Sequence, residues 1–188
     1  MRKTLFALMA MAALPMAASA GDISYDYIEL GYSQIDLDGT SNDFEGAAFN
    51  GSVSIGKDFF LYGGYGNHQS ERGSIDLDVS RFGLGWRRGI NDSTDLVLSA
   101  NYLRFDVDLA GLSGDADGYE AEVGLRSAFT PNFEAEFALG YADGGDFDGD
   151  VYGRIQGHYK FSGNWGLTAS ATFAEGGNQY LIGPRLRF

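Results

Sequence analysis

From residue 133 to the end, the chain alternates between apolar and polar side chains with a period of two. Phe133, Ala135, Phe137, Leu139 and Tyr141 share one parity, while Glu134, Glu136, Ala138 and Gly140 share the other. Val151 to Phe161 repeats the pattern, setting Ile155, Tyr159 and Phe161 against Arg154, Gln156, His158 and Lys160. Trp165, Leu167, Ala169, Ala171 and Phe173 oppose Thr168, Ser170 and Thr172. Tyr180, Ile182, Pro184, Leu186 and Phe188 oppose Gly183, Arg185 and Arg187. Successive side chains of a strand point to opposite faces, so this period predicts β-strands. One face of each strand is free of charge and bounded by aromatic residues, as a lipid-facing strand with aromatic girdles should be. A soluble two-sheet sandwich also alternates, but its dry core could not hold the ionisable residues of the other face unpaired.

Earlier segments carry the same signal. Phe82, Leu84 and Trp86 oppose Arg81 and Arg87; Leu96, Leu98, Ala100 and Tyr102 oppose Ser99 and Asn101; Tyr119, Ala121, Val123 and Leu125 oppose Glu120, Glu122 and Arg126. Ile28, Leu30 and Tyr32 face away from Glu29, and Phe49, Val53 and Ile55 face away from Asn50, Ser52 and Ser54. The run from Phe59 to Asn67 (FFLYGGYGN) is apolar or glycine on both parities and leaves its register open.

Turn formers mark short links at Gly56 to Asp58, Gly89 to Thr94, Ala128 to Asn132 and Ser162 to Asn164. Longer Gly- and Asp-rich links lie between them, at Asp36 to Asp43, His68 to Asp78, Asp106 to Gly118, Asp143 to Asp150 and Ala174 to Asn178. Outer-membrane barrels keep short turns on the periplasmic side and long loops outside. The expected fold is therefore all-β: a closed, antiparallel, up-and-down transmembrane barrel of ten strands. Eight strands is the alternative if the segment near Phe59 has been divided too finely.

Residues 1–20 have a basic start at Arg2 and Lys3, an apolar run from Leu5 to Ala18 and an Ala18-Ser19-Ala20 end. This is the pattern of a secretory signal, and the run is shorter than the ~20 residues of a membrane-spanning helix. The expected division is a signal peptide at 1–20 and a barrel domain at 21–188. With no cysteine in the chain, stability must come from packing and backbone pairing rather than disulfides. The 28 glycines require a structural explanation.

Charge then locates the chemistry. The formal net charge is -13, and the long links with their flanking strand ends hold more than half of the 26 acidic side chains against one base, Arg72. The inward positions are nearly balanced: Glu29, Glu120, Glu122, Glu134 and Glu136 against Arg81, Arg87, Arg126, Arg154, Lys160, Arg185 and Arg187. Such an interior suits paired charges and water in a narrow barrel. An acidic chain of this kind disfavours nucleic-acid binding. Asp143, Asp146, Asp148 and Asp150 alternate with glycines and form a candidate site for Ca²⁺ or Mg²⁺, set against the plainer reading of a solvated acidic loop. His68, beside Gln69, Ser70 and Glu71, is the one position that suits a surface hydrolase, but no partner stands at diagnostic spacing. His158 is expected to make a structural hydrogen bond in the lumen. The reading is non-enzymatic, with no resident cofactor.

The segments SYDYIELGYS, FFLYGGYGN, GYADGGDFDGDVYGR and YLIGPRLRF together resemble a family of small outer-membrane barrels of plant-associated gammaproteobacteria. Its members are described as plant-immunity activators and quorum-factor-like secreted proteins. The resemblance implies an outer-membrane barrel delivered partly in vesicles, and it brings no catalytic residue. Terminal Phe188 resembles the signal by which the assembly machinery recognises outer-membrane proteins. Two classes of function stay open: a monomeric structural or interaction protein meeting lipids and lipopolysaccharide, or a narrow pore for small cations or solutes.

Overall fold

The computed structural model describes residues 23–39, 43–71, 75–109, 112–145 and 149–188. They form ten strands: β1 (Tyr27–Leu37), β2 (Asp43–Ile55), β3 (Phe59–Ser70), β4 (Ile75–Asn91), β5 (Thr94–Leu109), β6 (Leu112–Thr130), β7 (Phe133–Gly144), β8 (Asp150–Ser162), β9 (Trp165–Ala174) and β10 (Gly177–Arg187). Each strand pairs antiparallel with its sequence neighbours, and β10 pairs back to β1, closing the barrel. Closure leaves no free sheet edge inside a bilayer, where an unpaired backbone group costs several kcal/mol. Ten strands joined by nine connections match the count expected from the sequence, but only two residues separate β5 from β6 and β9 from β10, so the Asp106 to Gly118 and Ala174 to Asn178 links are far shorter than the sequence suggested. Residues 1–20, expected to form a signal peptide, lie outside the described residues.

Register follows the alternation. Leu30, Phe82, Val123, Leu139, Ile155 and Ile182 are exposed on the outer wall, and Glu29, Glu120, Arg126, Glu134 and Arg185 are buried within. The open segment is now fixed. Phe60 pairs opposite Gly85 and Tyr62 opposite Gly83, with Phe60 buried inward and Phe59 and Tyr65 exposed outside.

Many glycines make room in the lumen. A Cβ on Gly85 would strike the Phe60 ring, and one on Gly83 would strike the Asn101 side chain. Each removes a side chain so that a larger one from the next strand can lie across it. Gly56 and Gly163 do a different job, taking φ of 69° and 51° in tight turns.

Two departures from the sequence reading concern the long links. Asp106 to Gly118 is not a loop: β5 and β6 stay paired as far as Leu109 opposite Leu112. Most of His68 to Asp78 is likewise strand, because β3 and β4 pair out to Gln69 opposite Asp76. Here Asp and Gly occupy strand positions whose neighbours are Leu, Val and Phe on the alternate parity, so local turn composition lost to cross-strand pairing. The wall consequently rises highest along β4 to β6. At the closing seam, the β1–β10 ladder passes from Glu29 opposite Arg185 to Tyr32 opposite Ile182, skipping Pro184, which has no N–H to donate.

Candidate functional site

All twelve inward charges expected from the sequence lie on the lumen parity of their strands, and most meet a partner across the interior. Arg154 donates to Glu122 at 3.1 Å and to Glu136 at 2.8 Å, linking β8 to β6 and β7. Arg81 faces Glu120 at 3.1 Å, and Asn101 also donates to Glu120. Arg185 meets Glu29 at 2.7 Å across the closing seam while its guanidinium lies 3.8 Å from the centre of the Tyr27 ring. Glu134, 1% exposed, receives Arg126 at 2.7 Å, Lys160 at 2.8 Å and Arg187 at 3.0 Å. These pairs satisfy charges that would otherwise be very costly to bury.

Below this network, Ile23–Asp26 form a strap across the end of the barrel where β1 begins, β10 ends and the tight turns lie. Its Ser24 carbonyl accepts from Arg126 on β6 at 3.0 Å, while Asp26 accepts from the Ser54 backbone and hydroxyl on β2. β1 and β6 are five strands apart in either direction around a ten-strand barrel, so the strap spans the diameter. Tyr25 sits in the middle, 2% exposed, packed on Phe60 at 4.7 Å and beside Val97. Its ring lies between the guanidinium groups of Arg87 and Arg126, whose carbons are 4.4 and 4.7 Å from the centroid. Its hydroxyl donates to Asp95 at 3.1 Å, and burial raises the pKa of that hydroxyl, so it stays protonated. Sequence reasoning missed the strap. The available signal was parity, since Tyr25 shares the odd positions of Tyr27 and Glu29 and so points inward with them.

Between strap and network lies a cavity of about 150 Å³, lined among others by Tyr62, Arg81, Glu122, Arg154, Gln156 and Arg185. The lumen therefore holds a polar chamber with the strap packed against one end.

The other sequence candidates separate. Asp146 and Asp148 lie outside the described residues. Asp143 accepts from the Tyr141 hydroxyl at 3.2 Å and from the Gly144 amide, while Asp150 accepts from the Glu175 amide at 2.9 Å. Among the described residues, no three His, Asp or Glu side chains are grouped to hold a metal. His68 does not sit at the surface: it is 1% exposed and inward-facing on β3. Gly66 admits the ring, since a Cβ there would lie 2.5 Å from its Cε1, and Gly46 lets the Asn67–His68 backbone approach closely. His158 makes the expected structural bond, its Nδ1 lying 3.0 Å from the Thr168 hydroxyl.

A closed antiparallel barrel with an apolar outer wall and a charged, paired interior defines a bacterial outer-membrane β-barrel protein. Residues 4–153 match the family model described as outer membrane protein beta-barrel domain, and the chain belongs to that family, located in the bacterial outer membrane. Among solved structures it is similar to an outer membrane channel from Pseudomonas putida F1, at 9% identity and a TM-score of 0.56, covering 90% of this chain and 98% of that one. It is also similar to the KdgM porin in complex with disordered oligogalacturonate, at 14% identity and a TM-score of 0.50, covering 86% and 99%. At these identities the likeness is one of fold. No curated protein matches the chain.

Proposed function

We propose that this protein is a closed surface barrel whose role is structural or interactive rather than conductive. The observation that carries this reading is the strap: Tyr25, wedged between Arg87 and Arg126, fills the floor of a lumen already crossed by Arg–Glu pairs. In this reading the termini and tight turns face the periplasm, and the long hairpins with their acidic side chains face outward. The monomer meets membrane lipids and lipopolysaccharide, whose phosphates share divalent cations with the rim carboxylates. The β10 end at Phe188 serves recognition by the assembly machinery, and release in vesicles is compatible with the fold. The signalling role attached to the resembling plant-associated family draws on none of these residues and is not part of the proposal.

The second reading is a narrow pore, favoured by the polar chamber of about 150 Å³. Planar-bilayer recording on the refolded mature chain decides between them. A silent membrane, with barrel folding verified by circular dichroism, supports the closed barrel. A steady, salt-dependent current from monomers overturns it.

A further inference from the structure

β6 outruns its neighbour on one side. Its ladder with β7 ends at Gly118 opposite Gly144, whereas its ladder with β5 continues to Leu112 opposite Leu109. Among the described residues, no strand pairs with the far side of Leu112–Asp117. At ~3.4 Å per residue those six residues present an edge of about 20 Å. An unpaired edge offers a row of N–H and C=O groups on which another strand can form.

The sheet behind this edge has two unlike faces. Strand parity directs Asp76, Asp78, Asp106, Asp108, Asp115 and Asp117 away from the barrel axis. The registers set Asp78, Asp106 and Asp115 side by side in one row and Asp76 beside Asp108. Arg104 lies among them, reaching Asp106, Asp115 and Asp117 at 3.1, 3.4 and 3.7 Å. Like charges placed directly opposite each other repel, so this face favours added positive charge. The other face is apolar, carrying Leu77, Val79, Phe105 and Val107, and it ends in Leu112 at 76% exposure.

We propose that the Leu112–Asp117 edge docks an extended segment of a partner protein in which basic and apolar residues alternate. The segment adds to the sheet beside β6. Main-chain hydrogen bonds hold it, while its alternate side chains read the two faces. Its apolar residues continue the Val107 and Leu112 side, and its basic residues lie next to Asp115 and Asp117. A second copy of this chain fits less well, because its own Asp115 and Asp117 would face these. The proposal rests on the surface-interaction reading, which places this edge outside the cell.

The test uses the refolded barrel in micelles and a fluorescent peptide of alternating Lys and Val with blocked termini, followed by anisotropy. Saturable binding is expected, weakened roughly tenfold or more by Asp115→Lys. A peptide N-methylated at alternate amides, which keeps its charge but cannot pair, should lose binding to the unaltered barrel. A Glu–Val peptide should not bind. Equal binding of the N-methylated peptide, or equal binding to a folded Asp115→Lys barrel, overturns the proposal. So does concentration-dependent dimerisation by light scattering that Asp115→Lys abolishes, which would give the edge to a second copy. Peptide binding by a barrel that conducts would retain the edge and overturn only the closed lumen.

Discussion

The Arg126 guanidinium carbon lies 4.7 Å from the centre of the Tyr25 ring, joining the wall at β6 to a residue that precedes β1 on the opposite side. The same guanidinium donates to the Ser24 carbonyl and to Glu134. One side chain thus fastens the floor of the barrel to its wall, and cation–π contacts of this kind strengthen as water is excluded.

Tyr25→Ala should open that floor. Single-channel recording is expected to show discrete current in the variant where the unaltered barrel is silent. Continued silence of the variant would move the closure to the Arg154 network.

Glu134→Gln should be the costliest substitution in the lumen, because Arg126, Lys160 and Arg187 all lose their shared counterion. Breaking a buried pair costs about 3–5 kcal/mol. Urea unfolding followed by the fluorescence of Trp86 and Trp165 measures it. Arg104→Ala, in an exposed cluster, should leave the same midpoint nearly unchanged.

Glycine positions should divide by face. Gly85→Leu forces the Phe60 ring from its place and should destabilise by about 1–3 kcal/mol or prevent refolding. Gly51→Ala, where an added Cβ would meet nothing closer than 3.7 Å, should refold as the parent does. Heat-modifiable migration on gels reports both.

Val123→Arg, on the lipid face of β6 between Ala121 and Leu125, should cost about 2–4 kcal/mol in vesicles. Leu112→Arg, at the far end of the same strand, should change stability by less than about 0.5 kcal/mol. Similar costs at the two positions would place the membrane boundary elsewhere.

Strand number and facing were legible because burial in lipid on one side and water on the other writes a period of two directly into the chain. Glu134, Glu136, Arg154 and Lys160 could be assigned to the lumen on that basis alone. Phe59 to Asn67 could not, since both of its parities are apolar or small; Gly85 and Gly83 on β4 decide which ring turns inward. The high wall at β4 to β6 was hidden because Asp and Gly between residues 106 and 118 look like turn formers until the register with β4 is known. The partner of Arg185 depends on which strands meet at closure, and the contact of Arg126 with the Ser24 carbonyl depends on what lies across the lumen; no local pattern encodes either.

The seam between the two ends of the chain has a consequence in time. Arg185 on β10 reaches Glu29 on β1, and the Phe188 amide reaches the Asp26 carbonyl of the strap at 3.3 Å. Those contacts exist only when the last strand has met the first. A folding intermediate that lacks β10 therefore has a strap without its Phe188 bond and a Glu29 without its arginine, and it admits water along the open β1 edge. Completion of the cylinder and drying of its base are one event, so an incomplete chain is distinguishable from a finished one by what its interior admits.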